Sequence, residues 1–93
     1  WLALVAQEYP LAKLYAQSGL ELAPESPVLW RYLAYSTGLQ QDTNGSQVAL
    51  QTARRYTAVG ENVNELLRRD IQWLEQQGLP ATDIALLRKL VGD

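Results

Sequence analysis

The chain has 93 residues, enough for one domain at most, and its 47% hydrophobic and 19% charged composition is that of a folded globular protein. A net charge of -2 supplies no clustered basic field for nucleic acid. The absence of cysteine and histidine removes disulfides, thiolate metal sites, the commonest general base and the commonest metal ligand.

The chain opens at Trp1 inside a short apolar stretch of helical character, Trp1, Leu2, Leu4 and Val5, and so reads as a piece of a longer protein. Pro10 suits the first position of a second helix, where its missing N–H costs nothing. That helix is expected over about Pro10–Leu22, with Leu11, Leu14, Tyr15 and Ser18 at i, i+3, i+4, i+7 spacing facing inward. Ala12, Ala16 and Gly19 form an adjacent stripe of small residues. A mid-helix glycine costs about 1 kcal/mol against alanine, which a close neighbouring helix would explain. Pro24 ends this helix. Ser26 and Pro27 open a third as N-cap and first-turn residue, with Leu29, Tyr32, Leu33 and Ser36 on one face and an end near Gly38.

Residues 41–46, Gln-Asp-Thr-Asn-Gly-Ser, read as a loop because they are polar and rich in turn formers. A fourth helix is expected over about Gln47–Val59, with Val48, Ala49, Thr52, Ala53 and Tyr56 inward. Gly60 suits a left-handed C-terminal residue. Asn62 and Glu65 have capping-box spacing and begin a fifth helix, in which Val63, Leu66, Leu67, Asp70, Ile71 and Leu74 line one face. Gly78 ends it. Thr82 or Asp83 is expected to cap a sixth helix with Ile84, Leu87 and Leu90 on its packing face. Arg88 and Lys89 stand in its last turn, where cations suit the helix dipole. No segment alternates with period two, so no strand is expected, and no apolar run reaches the roughly 18 residues that span a bilayer.

These starts recur. The third and fifth helices begin about 35 residues apart, and the second, fourth and sixth at similar intervals. Trp30, Leu33 and Ala34 fit a Trp-x-x-Leu-Ala helix opening, and Ala12, Ala16, Gly19 and Pro24 fit the small positions and closing proline of the helix before it. The chain thereby resembles the tetratricopeptide-repeat (TPR) family. The resemblance implies an all-α fold of about six helices, antiparallel pairs stacked as a right-handed TPR-like superhelix. It divides the chain into the end of one repeat (1–24), a complete repeat (25–60) and a divergent or capping repeat (61–93). The motif is specific over 12–35. Beyond it the 41–46 loop is long, Glu61 replaces the closing proline and Asp70 replaces an apolar residue, so a looser solenoid of HEAT type stays open.

The resemblance implies a non-catalytic module that binds a protein or peptide, without cofactor, nucleic acid or membrane insertion. The alternatives are a spacer or an oligomerisation segment self-associating through exposed terminal helices, and a helical accessory domain of an enzyme. Glutamine-rich, cysteine-free repeats suit a bacterial envelope or cytoplasm by analogy alone. Arg54, Arg55 and Arg69 are candidates for a cationic groove, although Glu65 stands where it can pair with Arg68 or Arg69. Tyr35 and Trp73 fall off their helices' main stripes and carry a polar handle on an aromatic body, which makes them candidate partner-binding residues. Asp70 reads either as a carboxylate that orients a partner or as a buried group satisfied by Arg69, Trp73 or a backbone N–H.

Overall fold

Six helices and no strand make up the computed structural model, which describes residues 1–92: α1 (Leu2–Val5), α2 (Tyr9–Leu22), α3 (Pro27–Leu39), α4 (Thr43–Tyr56), α5 (Val63–Gln76) and α6 (Ala81–Leu90). The fold is all-α, with extents of 32 × 26 × 23 Å. None of these helices is long and apolar enough to cross a membrane.

The α2–α3 junction forms as its residues dictate. Ser26 Oγ accepts the Leu29 N–H at 3.3 Å, Pro27 takes the first turn, and the Trp30 indole N–H donates to the Pro24 carbonyl at 2.8 Å. The two helices therefore meet at a fixed angle, and a Cβ on Gly19 would come within 3.0 Å of the Leu29 methyls. The close approach that the glycine implied is present.

The face α2 turns inward differs from expectation. Ala12 and Ala16 are fully buried, whereas Leu14 and Tyr15 are 58% and 56% exposed. The small residues let the α2 and α3 backbones approach, and helix–helix contact at that distance has no room for leucine. The larger apolar stripe is left facing out.

The chain between α3 and α4 also differs. The segment expected as a six-residue loop is mostly helix, because α4 starts at Thr43. Asp42 is its N-cap and accepts the Gly45 N–H at 2.9 Å, and a Cβ on Gly45 would collide with the Asp42 carboxylate. Asp42, Asn44 and Gly45 are thus cap and first-turn residues, and the turn is Gln40–Asp42 with Gln41 in the left-handed region at φ 65°. Ala49 and Ala53 are buried as expected, Leu50 joins them, Thr52 and Tyr56 are half-buried, and Val48, expected inward, is exposed.

α3 is the central helix. It packs against α2, α4 and α6, and from Arg31 to Leu39 only Leu33 is not fully buried. Its polar side chains turn back on its own backbone: Ser36 Oγ donates to the Tyr32 carbonyl and Thr37 Oγ1 to the Leu33 carbonyl. Ser46 Oγ on α4 donates to the Ala34 carbonyl at 2.8 Å, tying the two helices. α5 begins on Asn62, whose Oδ1 accepts the Glu65 N–H, and its Leu67, Ile71 and Leu74 are buried. Gly60 and Gly78 hold φ of 97° and 99° within the α4–α5 and α5–α6 connections, where glycine sits without strain, although α4 ends at Tyr56, short of Gly60.

α6 has no side-chain cap; Pro80 occupies the N-cap position. Asp83, expected as a cap, instead accepts the Tyr9 hydroxyl at 2.6 Å, which joins α6 to the start of α2. Gln47 Nε2 donates to the Leu90 carbonyl at 3.0 Å. α6 consequently lies across α3 and α4 as well as against α5.

The inverted packing of α2 is testable by substitution. Ala16→Leu overpacks the α2–α3 seam and is expected to cost about 1–3 kcal/mol in urea denaturation. Leu14→Ser, on the outward face, should change stability by no more than about 0.5 kcal/mol.

Candidate functional site

The site grows from one polar residue in an apolar stripe. Asp70 sits on α5 between Leu67 and Ile71 and faces α3. The α3 helix brings Arg31 and Tyr35 to it, one turn apart and therefore on one side of the helix. Arg31 Nε donates to Asp70 Oδ2 at 2.8 Å, and the Tyr35 hydroxyl donates to the same oxygen at 2.6 Å. The side chains of Arg31 and Asp70 are only 9% and 19% exposed, so their attraction is weakly screened. Burial pushes the Tyr35 phenol well above its ordinary pKa. The Asp70 charge and the hydrogen bond add to the rise, and Arg31 opposes it.

Aromatic rings surround this junction. Trp1 stacks on Tyr32 with centroids 5.2 Å apart and planes at 18°. It meets Tyr35 at 5.8 Å, and Trp73 in a T-shaped contact at 6.4 Å and 88°. Trp1, Trp73 and Asp70 line an open pocket of about 310 Å³. The Tyr32 hydroxyl is buried and has no hydrogen-bond partner among the described residues.

The predicted residues divide between this cluster and the outer surface. Tyr35 is 1% exposed and belongs to the core, contrary to its expected place off the packing stripe. The reason is that α3 is covered on nearly every side, so it has no outward stripe at that level. Trp73 is 41% exposed and forms a pocket wall. Arg54 is exposed and donates to Asn64 Oδ1 at 3.0 Å, and Arg55 is exposed beside it. Arg69 is exposed and pairs with Glu65 at 2.8 Å, one turn earlier on α5. Such a surface pair contributes about 0.3–0.5 kcal/mol. Arg69, Glu61, Asn62, Glu65 and Leu66 line a separate depression. Asp70 takes neither Arg69 nor Trp73 as its partner.

Sequence reasoning missed Arg31 and Trp1. Arg31 follows Trp30 in what reads as an ordinary amphipathic helix, and its partner lies 39 positions away. The signal that could have found it was Asp70, whose carboxylate needs a donor from a facing helix. Among the described residues no group of three or more acidic, histidine or cysteine side chains comes together to hold a metal.

Breaking the junction from one side strands a buried charge. Asp70→Ala is expected to lose about 3 kcal/mol or more in chemical denaturation, because Arg31 stays buried without its partner. Arg31→Met combined with Asp70→Leu should recover most of that loss. Tyr35 generates a second expectation. Its phenol stays protonated in the fold while an unfolded tyrosine ionises near pH ~10, so the folded state holds one more proton above that pH. The stabilisation is complete below pH ~10 and falls by about 1.4 kcal/mol per pH unit above it. Urea denaturation between pH 9 and pH 11 should show that decline, and Tyr35→Phe should flatten it by one proton's worth.

Against known proteins, the chain matches no family model, no curated protein and no solved structure.

Proposed function

We propose that the chain is a non-catalytic module that binds a partner protein or peptide, built from helix pairs of TPR type. The observation that carries the binding role is the outward face of α2. Leu14, Tyr15, Ser18 and Leu22 recur at helical spacing and are exposed, Leu22 at 89%, while Ala12 and Ala16 are buried. An amphipathic helix ordinarily buries such a stripe. A contiguous exposed apolar stripe marks an interaction surface, and helical anchors at i, i+3, i+4 and i+7 suit the face of a second helix.

The repeat reading draws support from the α2–α3 seam and from the starts of α2 and α4, Tyr9 and Thr43, about 34 positions apart. The next interval, from Thr43 to Ala81, is about 38. α6 crosses α3 and α4 and joins Asp83 to Tyr9, which suits residues 61–93 as a capping unit that closes the stack. A capping unit turns its apolar face inward, and among the described residues α6 exposes no large apolar side chain. A spacer continuing at both ends would need such a patch on α6 too.

The test is a selection of helical peptides against the chain, followed by binding to a variant carrying Leu14→Ser, Tyr15→Ser and Leu22→Ser. Selected peptides are expected to bind with micromolar Kd and to weaken at least tenfold on the variant. Peptides that bind both proteins equally, or no selected peptide at all, would overturn the role given to α2.

A further inference from the structure

We infer that the partner of the outward α2 face is a cationic amphipathic helix, an inference that rests on the binding role given to α2. The charges around the exposed stripe carry it. Glu8, the N-cap residue, and Glu21 stand seven positions from Tyr15 and Leu14, close to two helical turns, and so fall in line with them on the exposed side. Glu25 follows in the α2–α3 turn and is also exposed. Among the described residues none of these three carboxylates forms an ion pair, whereas Glu65 and Glu75 of α5 each meet an arginine. The one cation of α2, Lys13, is half-buried and lies about 140° around the helix from Ser18 at 3.6 residues per turn. It is placed to neutralise none of them.

The end of α2 adds to this field. Its last turn holds no basic residue, so the negative end of the helix dipole stands uncompensated beside Glu21 and Leu22. A helix laid along the stripe with lysines or arginines at its margins would take Leu14, Tyr15 and Leu22 out of water and bring its cations to these carboxylates. Such rim charges set the choice of partner and the rate of encounter more than the affinity. The same field disfavours the other occupants of an exposed apolar stripe. An acidic helix would set like charges against Glu8, Glu21 and Glu25, and an anionic membrane surface would meet the same three.

Two synthetic amphipathic peptides with one leucine stripe supply the test, the stripe flanked by lysines in one and by glutamates in the other. At low salt the lysine peptide is expected to bind the chain about tenfold tighter or more, and the gap should narrow at high salt as the charges are screened. Glu21→Lys combined with Glu25→Lys should abolish or reverse the preference. Glu61→Lys combined with Glu65→Lys, an equal change of net charge placed at the start of α5, should preserve it. Equal binding of the two peptides, or the same loss of preference in both variants, would overturn the cationic partner. Loss of both peptides on the Leu14→Ser, Tyr15→Ser, Leu22→Ser variant would in that case leave the role of α2 standing. Lysine-peptide binding that persists undiminished on that variant, or no binding of either peptide to the chain, would overturn the α2 role together with the inference.

Discussion

The Arg31–Asp70–Tyr35 junction is the constraint on which the arrangement of the second half depends. Two donors from α3, the Arg31 guanidinium and the Tyr35 hydroxyl, converge on one carboxylate oxygen of α5 in a largely dry setting. A buried ion pair of this kind adds little net stability over well-packed apolar side chains, but it penalises every packing in which the partners fail to meet. α5 could slide or rotate along its Leu67–Ile71–Leu74 stripe at small cost if apolar contact alone held it. Asp70 in the middle of that stripe admits one register against α3.

The aromatic face follows from the same fixation. Tyr35 is held with its hydroxyl on Asp70, Trp1 packs on Tyr32 and Tyr35, and Trp73 meets Trp1 in a T-shaped contact. The polar junction beneath and the rings above are therefore one unit that joins α1, α3 and α5. The Tyr9–Asp83 and Gln47–Leu90 bonds tie α6 to the start of α2 and to α4. The α2 stripe proposed as the binding surface is what close α2–α3 packing leaves outside.

Much of the helix content was legible in the residues. Ser26-Pro27 and Asn62 announced their helices because capping is a local interaction, and Gly60 and Gly78 announced their turns because only glycine takes those dihedral angles freely. Two features were not legible. The stripe of α2 with the largest apolar residues was expected inward, yet Ala12 and Ala16 are what a close helix crossing requires, and that distance is set by α3. The Asp42–Ser46 segment has turn-forming composition, but aspartate and glycine serve equally as a cap and a first-turn residue, and the turn's left-handed position fell on Gln41. Of the site, Trp73 and the oddity of Asp70 could be read in advance. Arg31 and the inward placement of Tyr35 could not, because both depend on α3 being covered from several sides at once.

Native-state amide hydrogen exchange tests the central claim most directly, since it reports the opening free energy of each helix separately. If the junction fuses α5 to α3, the amides of Leu67, Ile71 and Leu74 should exchange with the same opening free energy as those of Tyr32 and Tyr35. Exchange of α5 at a distinctly lower free energy, with α3 still protected, would contradict it.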